Sequence, residues 1–209
     1  MSDTTYFVEG LLSGLLLAAS MGPIFIALIH TSLEKGYKPG LTVGTGIWFS
    51  DIAIVSLMYY FIHSIKSTIE SEGFIFWMGL SGAIVLIAFG IILLIKKPQI
   101  NYDDITPSRS DYFGFWLKGF LVNTVNPFTF VFWIGIISSY MIGRHSTDKQ
   151  MAILLCTIIS VIIISDCAKV FLANWLRKWL NADHVNTVSN VSGAILILFG
   201  VFMSYKVLL

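Results

Sequence analysis

The sequence predicts an all-α membrane protein: six transmembrane helices arranged as two inverted three-helix repeats, with the first and fourth helices broken at proline. Three observations carry this. The composition, 56% hydrophobic and 12% charged with a mean hydropathy of +0.81, lies far outside that of a soluble domain. Six apolar runs are each long enough to cross roughly 30 Å of hydrocarbon as a helix. Three short motifs recur in the same order in the two halves of the chain.

The runs cover approximately residues 7–31, 40–62, 74–95, 115–141, 150–173 and 187–208. A β-barrel would show short segments of alternating polarity, whereas Ile84 to Ile95 and Ile153 to Ile164 are apolar almost without interruption. Helices satisfy their backbone groups within the segment, as the bilayer interior requires. The first run has Asp3 and Glu9 around its start and no Lys or Arg before it, unlike the basic start of a cleaved signal, so it is expected to be retained as a span.

A formal charge of +1 points to no nucleic-acid partner, and the polar connections are too short for a soluble domain. The expected partners are the lipid bilayer, a small-molecule substrate and a coupling proton, with a homo-oligomer compatible with the chain. No cofactor motif is present. Cys156 and Cys167 fall in the fifth run, about 16 Å apart along a helix and too far for one disulfide. His30 and His63 sit near span ends, and no His or Cys cluster has metal-ligand spacing.

The positive-inside rule sets the orientation. Lys66, Arg144, Lys149 and Lys206 lie on the side of the termini; Lys35, Lys38, Lys96, Lys97, Arg109, Lys118, Arg177 and Lys178 lie on the other. The second side is expected to be cytoplasmic and both termini outside. In a bacterium the location would be the inner membrane, as a multi-pass protein.

The recurring motifs are Met21-Gly22-Pro23 with Val125-Asn126-Pro127, Ser50 to Val55 with Ser165 to Val170, and Ser81 to Gly90 with Ser192 to Gly200. Three spans per half is an odd number, so the second half enters the membrane from the opposite side and the repeat must be inverted. The expected organisation is one transmembrane domain over residues 1–209, with repeat one at 6–97, a flexible cytoplasmic linker at 98–112 and repeat two at 113–209. Inverted halves are characteristic of transporters that alternate access to a midplane site, with channels the close rival.

Four features of the runs point to a site. Pro23 and Pro127 stand in mid-span, each after a helix-weakening Gly22 or Asn126, and should kink or break their helices and free carbonyls there. Asn123 and Asn126 lie three apart on one face, offering amides to an amino or carboxylate group or to a neighbouring helix. Asp51 is near mid-depth with no cation nearby in sequence, a candidate proton carrier or partner for a substrate ammonium. Asp166 has Lys169 one turn on, which makes a neutralising pair the plain alternative to a functional role.

Other features read as packing. Gly36, Gly40 and Gly44 form a small-residue face. Most tryptophans fit an aromatic belt, while Trp48 and Trp133 lie deeper and are candidates for lining a cavity. A pair of intramembrane aspartates also raises an aspartyl enzyme, but the usual Gly-x-Gly before one aspartate is replaced by Trp48-Phe49-Ser50 before Asp51. A thiol-relay transporter would need a cysteine in each half.

The combination resembles the lysine exporter / homoserine-threonine exporter (LysE/RhtB) family of bacterial amino-acid efflux proteins over nearly the whole chain. The residues that carry the likeness are Gly22-Pro23, the spaced Gly36, Gly40, Gly44 and Gly46 leading to Asp51, and Gly119, Asn123, Asn126 and Pro127. The resemblance implies export of a small amino acid or similar metabolite from the cytoplasm, driven by a proton gradient or the membrane potential. Heavy-metal exporters among the wider relatives supply the alternative cargo. Three positions depart from the family pattern: Met21 for a proline, Ser50 for a glycine and Phe128 for a lysine. The last removes a cation from beside the fourth helix's proline.

Overall fold

The computed structural model describes residues 2–19, 22–69, 71–95, 109–176, 179 and 182–208. Met21, residues 98–108 of the expected linker, and Lys96, Lys97, Arg177 and Lys178 lie outside them. Eight α-helices are described: α1 (Asp3–Ala19), α2 (Pro23–Lys35), α3 (Tyr37–Ile69), α4 (Glu72–Ile95), α5 (Arg109–Thr124), α6 (Pro127–Ile137), α7 (Asp148–Leu176) and α8 (Ala182–Leu208). A π-helical turn, Ser138–Gly143, extends α6, and no strand occurs among the described residues. Arg109 to Tyr112, within the stretch expected as linker, form the first turn of α5.

Proline decides where two of these helices begin. Pro23 is the first residue of α2 and Pro127 of α6, the position where a missing N–H costs no intrahelical bond. Asn126 caps α6, its Oδ1 accepting from the Phe128 N–H at 3.2 Å. Gly22 precedes α2 with extended backbone and no side-chain cap. The α1–α2 pair is bent by 64°, and Ser110–Thr124 meets Phe128–Gly143 at 61°. Two helical stretches, Tyr37–Phe61 and Asp148–Leu176, are long and apolar enough to cross a membrane, with up to two more if each bent pair is one span; Gly79–Ile95 and Ser189–Tyr205 are shorter apolar stretches.

Glycines set how closely the helices approach. A Cβ on Gly46 would overlap the Trp116 carbonyl and one on Gly119 the Val43 carbonyl, so α3 and α5 cross backbone to backbone. Gly90 and Gly193 bring α4 and α8 together in the same way: a Cβ on either would lie 2.6 or 2.8 Å from the other's carbonyl oxygen. These last two belong to the third recurring motif, whose shared glycines therefore serve a helix crossing.

The glycine face read from the sequence divides into different roles. Gly36 ends α2 at φ 90°, in the left-handed region that favours glycine, and its N–H returns to the Ser32 carbonyl at 3.0 Å. Gly40 is packed against Ser32 and Val170, whereas Gly44 leaves room for the Trp48 ring one turn on. Gly40 thus fits the expected interhelical packing.

α1 lies along α7, α5 along α3, and α4 against α8, while α2 touches α7 and α6 touches α3. The main apolar cluster includes Trp133, Ile137, Leu154 and Ile158 around Met58 and Tyr6. At the end of the bundle that holds the start of α1, Arg144 binds Glu9 at 2.7 Å and covers the Tyr140 ring. Tyr6 donates to Ser146, whose own proton goes to the Tyr140 carbonyl, so α1 is tied to the end of the π-helical turn by both charge and neutral bonds.

Candidate functional site

A cavity of about 590 Å³ lies where the two bent pairs meet α3, α7 and α8. Its lining includes Gly22, Pro23, Asp51, Asn123, Asn126, Asp166 and Lys169. Seven of the residues singled out in the sequence, drawn from positions more than 140 apart, thus share one cavity. Pro127 contributes the first residue of α6 beside it.

Asp51 is held on one oxygen. Asn123 Nδ2 donates to Oδ1 at 2.9 Å and the Trp133 indole N–H donates to the same atom at 3.0 Å. Asp51 Oδ2 makes no hydrogen bond among the described residues, although the side chain is only 4% exposed. Asn123 is itself fully engaged: Nδ2 also reaches the Ile47 carbonyl, and Oδ1 accepts from the Thr129 hydroxyl at 2.9 Å. One layer back, Thr124 gives its proton to the Phe120 carbonyl and Ser50 donates to Thr124 at 2.8 Å, which ties α3 to α5 below the aspartate.

Asp166 has different company. Lys169 Nζ lies 2.9 Å from Oδ1, and the Trp48 indole donates to Oδ2 at 3.1 Å. The neutralising pair expected from the i,i+3 spacing is present, and both oxygens are occupied. Asn126 uses Oδ1 to cap α6, while its Nδ2 makes no hydrogen bond among the described residues.

The structure corrects the expectation for Trp48 and Trp133. Neither lines the cavity; each instead crosses to the other half of the chain and donates to an aspartate that does. The sequence shows that they are deep but not which carboxylate each reaches, because the partners are 118 and 82 residues away. Gly22 supplies space: its extended backbone suits any residue, and a Cβ there would meet nothing within 4 Å. Among the described residues, no three His, Cys, Asp or Glu side chains gather as a metal site.

The Trp133 bond is testable. A hydrogen bond to a charged group contributes about 1.5–3 kcal/mol. Trp133→Phe is therefore expected to lower the melting temperature of the detergent-solubilised protein by several degrees, and Trp175→Phe, at an exposed ring, to leave it unchanged. Equal melting of both variants would mean the indole N–H adds nothing to the fold.

Apolar helices around a cavity that carries two carboxylates and an ammonium suit a membrane protein. The LysE type translocator family model matches residues 15–207, and the chain belongs to that family. It is accordingly a membrane transporter and not an enzyme. Among curated proteins it is similar to "Putative amino acid efflux protein YcgF" of Bacillus subtilis (strain 168), at 25% identity over 206 residues, covering 96% of this chain and 95% of that protein. No solved structure matches the chain.

Proposed function

We propose that the protein is a secondary exporter that moves amino acids or similar small metabolites out of the cytoplasm in exchange for protons. The observation that carries this reading is the convergence of Asp51, Asp166, Lys169 and the residues around both prolines on one cavity. The relative's printed name, "Putative amino acid efflux protein YcgF", supports an amino acid as the cargo class.

Each bent pair is read as one span broken at Gly22-Pro23 or Asn126-Pro127, which makes six spans in two inverted repeats, 6–97 and 113–209, joined by a cytoplasmic linker at 98–112. The packing supports the reading: exchanging the repeats turns the α1–α7 contact into α5–α3, the α2–α7 contact into α6–α3, and leaves α4–α8 as itself. Alternating access then rocks one repeat against the other about the cavity. By the positive-inside count both termini face away from the cytoplasm, in a bacterial inner membrane.

Coupling follows from Asp51. Its unoccupied Oδ2 can hold a substrate ammonium or a proton, and not both. If the halves rock only when that oxygen is occupied, substrate leaves on one stroke and a proton returns on the other, which is antiport.

The test is efflux from loaded proteoliposomes under an imposed pH gradient. Saturable, uphill amino-acid efflux accompanied by proton entry is expected. Downhill, non-saturating flux with no proton movement would make the protein a channel and end the exchange reading.

A further inference from the structure

We infer that the substrate is a zwitterionic amino acid with an apolar side chain, aliphatic or aromatic, bound through its α-ammonium at Asp51 Oδ2 and its α-carboxylate at Lys169 and Asn126. This rests on the amino-acid export reading above and adds the side-chain class to it.

The polar lining is short, and most of it is already used. Asn123 is bonded to Asp51, and the Thr129 hydroxyl to Asn123. Asp166 has a donor on each oxygen. Among the side chains of the described residues that line the cavity, what is left over is one acceptor, Asp51 Oδ2, and two sources of donors, Asn126 Nδ2 and the N–H groups of Lys169 not directed at Asp166. One acceptor for a cation and one donor set for an anion match the α-ammonium and α-carboxylate common to all amino acids.

Among the described side chains that line the cavity, nothing comparable is left for a third charged group. The rest of the wall is built from apolar residues such as Leu17, Ile24, Leu86, Ile162, Leu196 and Phe199. A lysine or glutamate side chain placed against them would lose its water without gaining a counter-ion, which is the costly arrangement for a buried charge. A leucine or phenylalanine side chain gains by the same contacts, and full burial of such a group corresponds to roughly 10- to 100-fold in affinity. The volume of about 590 Å³ is ample for either.

The experiment is efflux of radiolabelled leucine, phenylalanine, threonine, lysine and glutamate from proteoliposomes holding the full-length protein, with isoamylamine, which is leucine without its carboxylate, as competitor. Leucine and phenylalanine should show kcat/KM at least ~10-fold above the other three, and isoamylamine should compete poorly because it offers nothing to Lys169 and Asn126. Gly22→Val, which places a side chain in open space at the cavity wall, should raise the KM for phenylalanine while the protein stays monodisperse in detergent. Efficient transport of lysine, glutamate or threonine, with leucine and phenylalanine no better, overturns the inference and leaves amino-acid export standing. Strong inhibition by isoamylamine, or an unchanged KM in a folded Gly22→Val, overturns the proposed binding mode. Movement of no amino acid at all overturns both readings together.

Discussion

Asp51→Asn is expected to abolish proton-driven uphill export while the helix bundle survives. The amide is isosteric, and its oxygen can still accept from Asn123 and Trp133, so the ties between α3, α5 and α6 persist. What changes is the second atom. An NH2 replaces Oδ2 and can neither take up a proton nor accept from an ammonium. Removing one partner of a buried charged pair typically costs about 2–5 kcal/mol, so kcat/KM should fall by roughly 30-fold or more.

Efflux measured with and without a pH gradient checks this, beside a melting curve of the purified variant. Unimpaired uphill efflux by Asp51→Asn would remove the residue from the mechanism. Asp166→Asn is the informative contrast. It leaves the partly buried Lys169 without its carboxylate, and the loss of a fully buried pair partner destabilises by about 3–5 kcal/mol, which is the upper bound here. Stability, rather than coupling alone, should therefore suffer in that variant.

The second large effect is expected at Gly119. A Cβ there meets the Val43 backbone, which cannot turn aside as a flexible side chain would, and the Gly46 contact with Trp116 prevents α3 and α5 from sliding to relieve it. Overpacking a well-filled contact costs about 1–3 kcal/mol and sometimes more. Gly119→Ala should lower the melting temperature by several degrees, and Gly119→Leu should fail to give a monodisperse protein in detergent. Gly135→Ala is the control, since a Cβ on Gly135 meets nothing within 4 Å. If Gly119→Ala melts like wild type, the α3–α5 crossing is looser than described. Because α5 carries Asn123 and α3 carries Asp51, a looser crossing would also loosen the aspartate's hydrogen bond.

Much of the site is legible in the sequence, for reasons of local chemistry. A carboxylate in an apolar run stands out because the bilayer makes it costly, which marks Asp51 and Asp166. Proline lacks a backbone donor, so helix starts at Pro23 and Pro127 can be anticipated from two residues alone. The Lys169–Asp166 pair follows from helical spacing. Gly36 shows the limit of such reasoning. A glycine series looks like a packing face in sequence, but whether one member instead ends a helix depends on its φ, which spacing does not encode.

What the sequence determined about this protein is what depends on near neighbours: apolar helices, the prolines that start two of them, the buried aspartates, and family membership through motifs distributed along the chain. Tertiary structure alone decided which groups meet. It placed Trp48 on Asp166 and Trp133 on Asp51, set Gly46 against Trp116 and Gly119 against Val43, and left one oxygen of Asp51 without a hydrogen bond among the described residues, beside an apolar wall. The physical reason is that helical periodicity specifies which face a residue occupies, whereas the partner across that face is chosen by close packing among helices far apart in the chain.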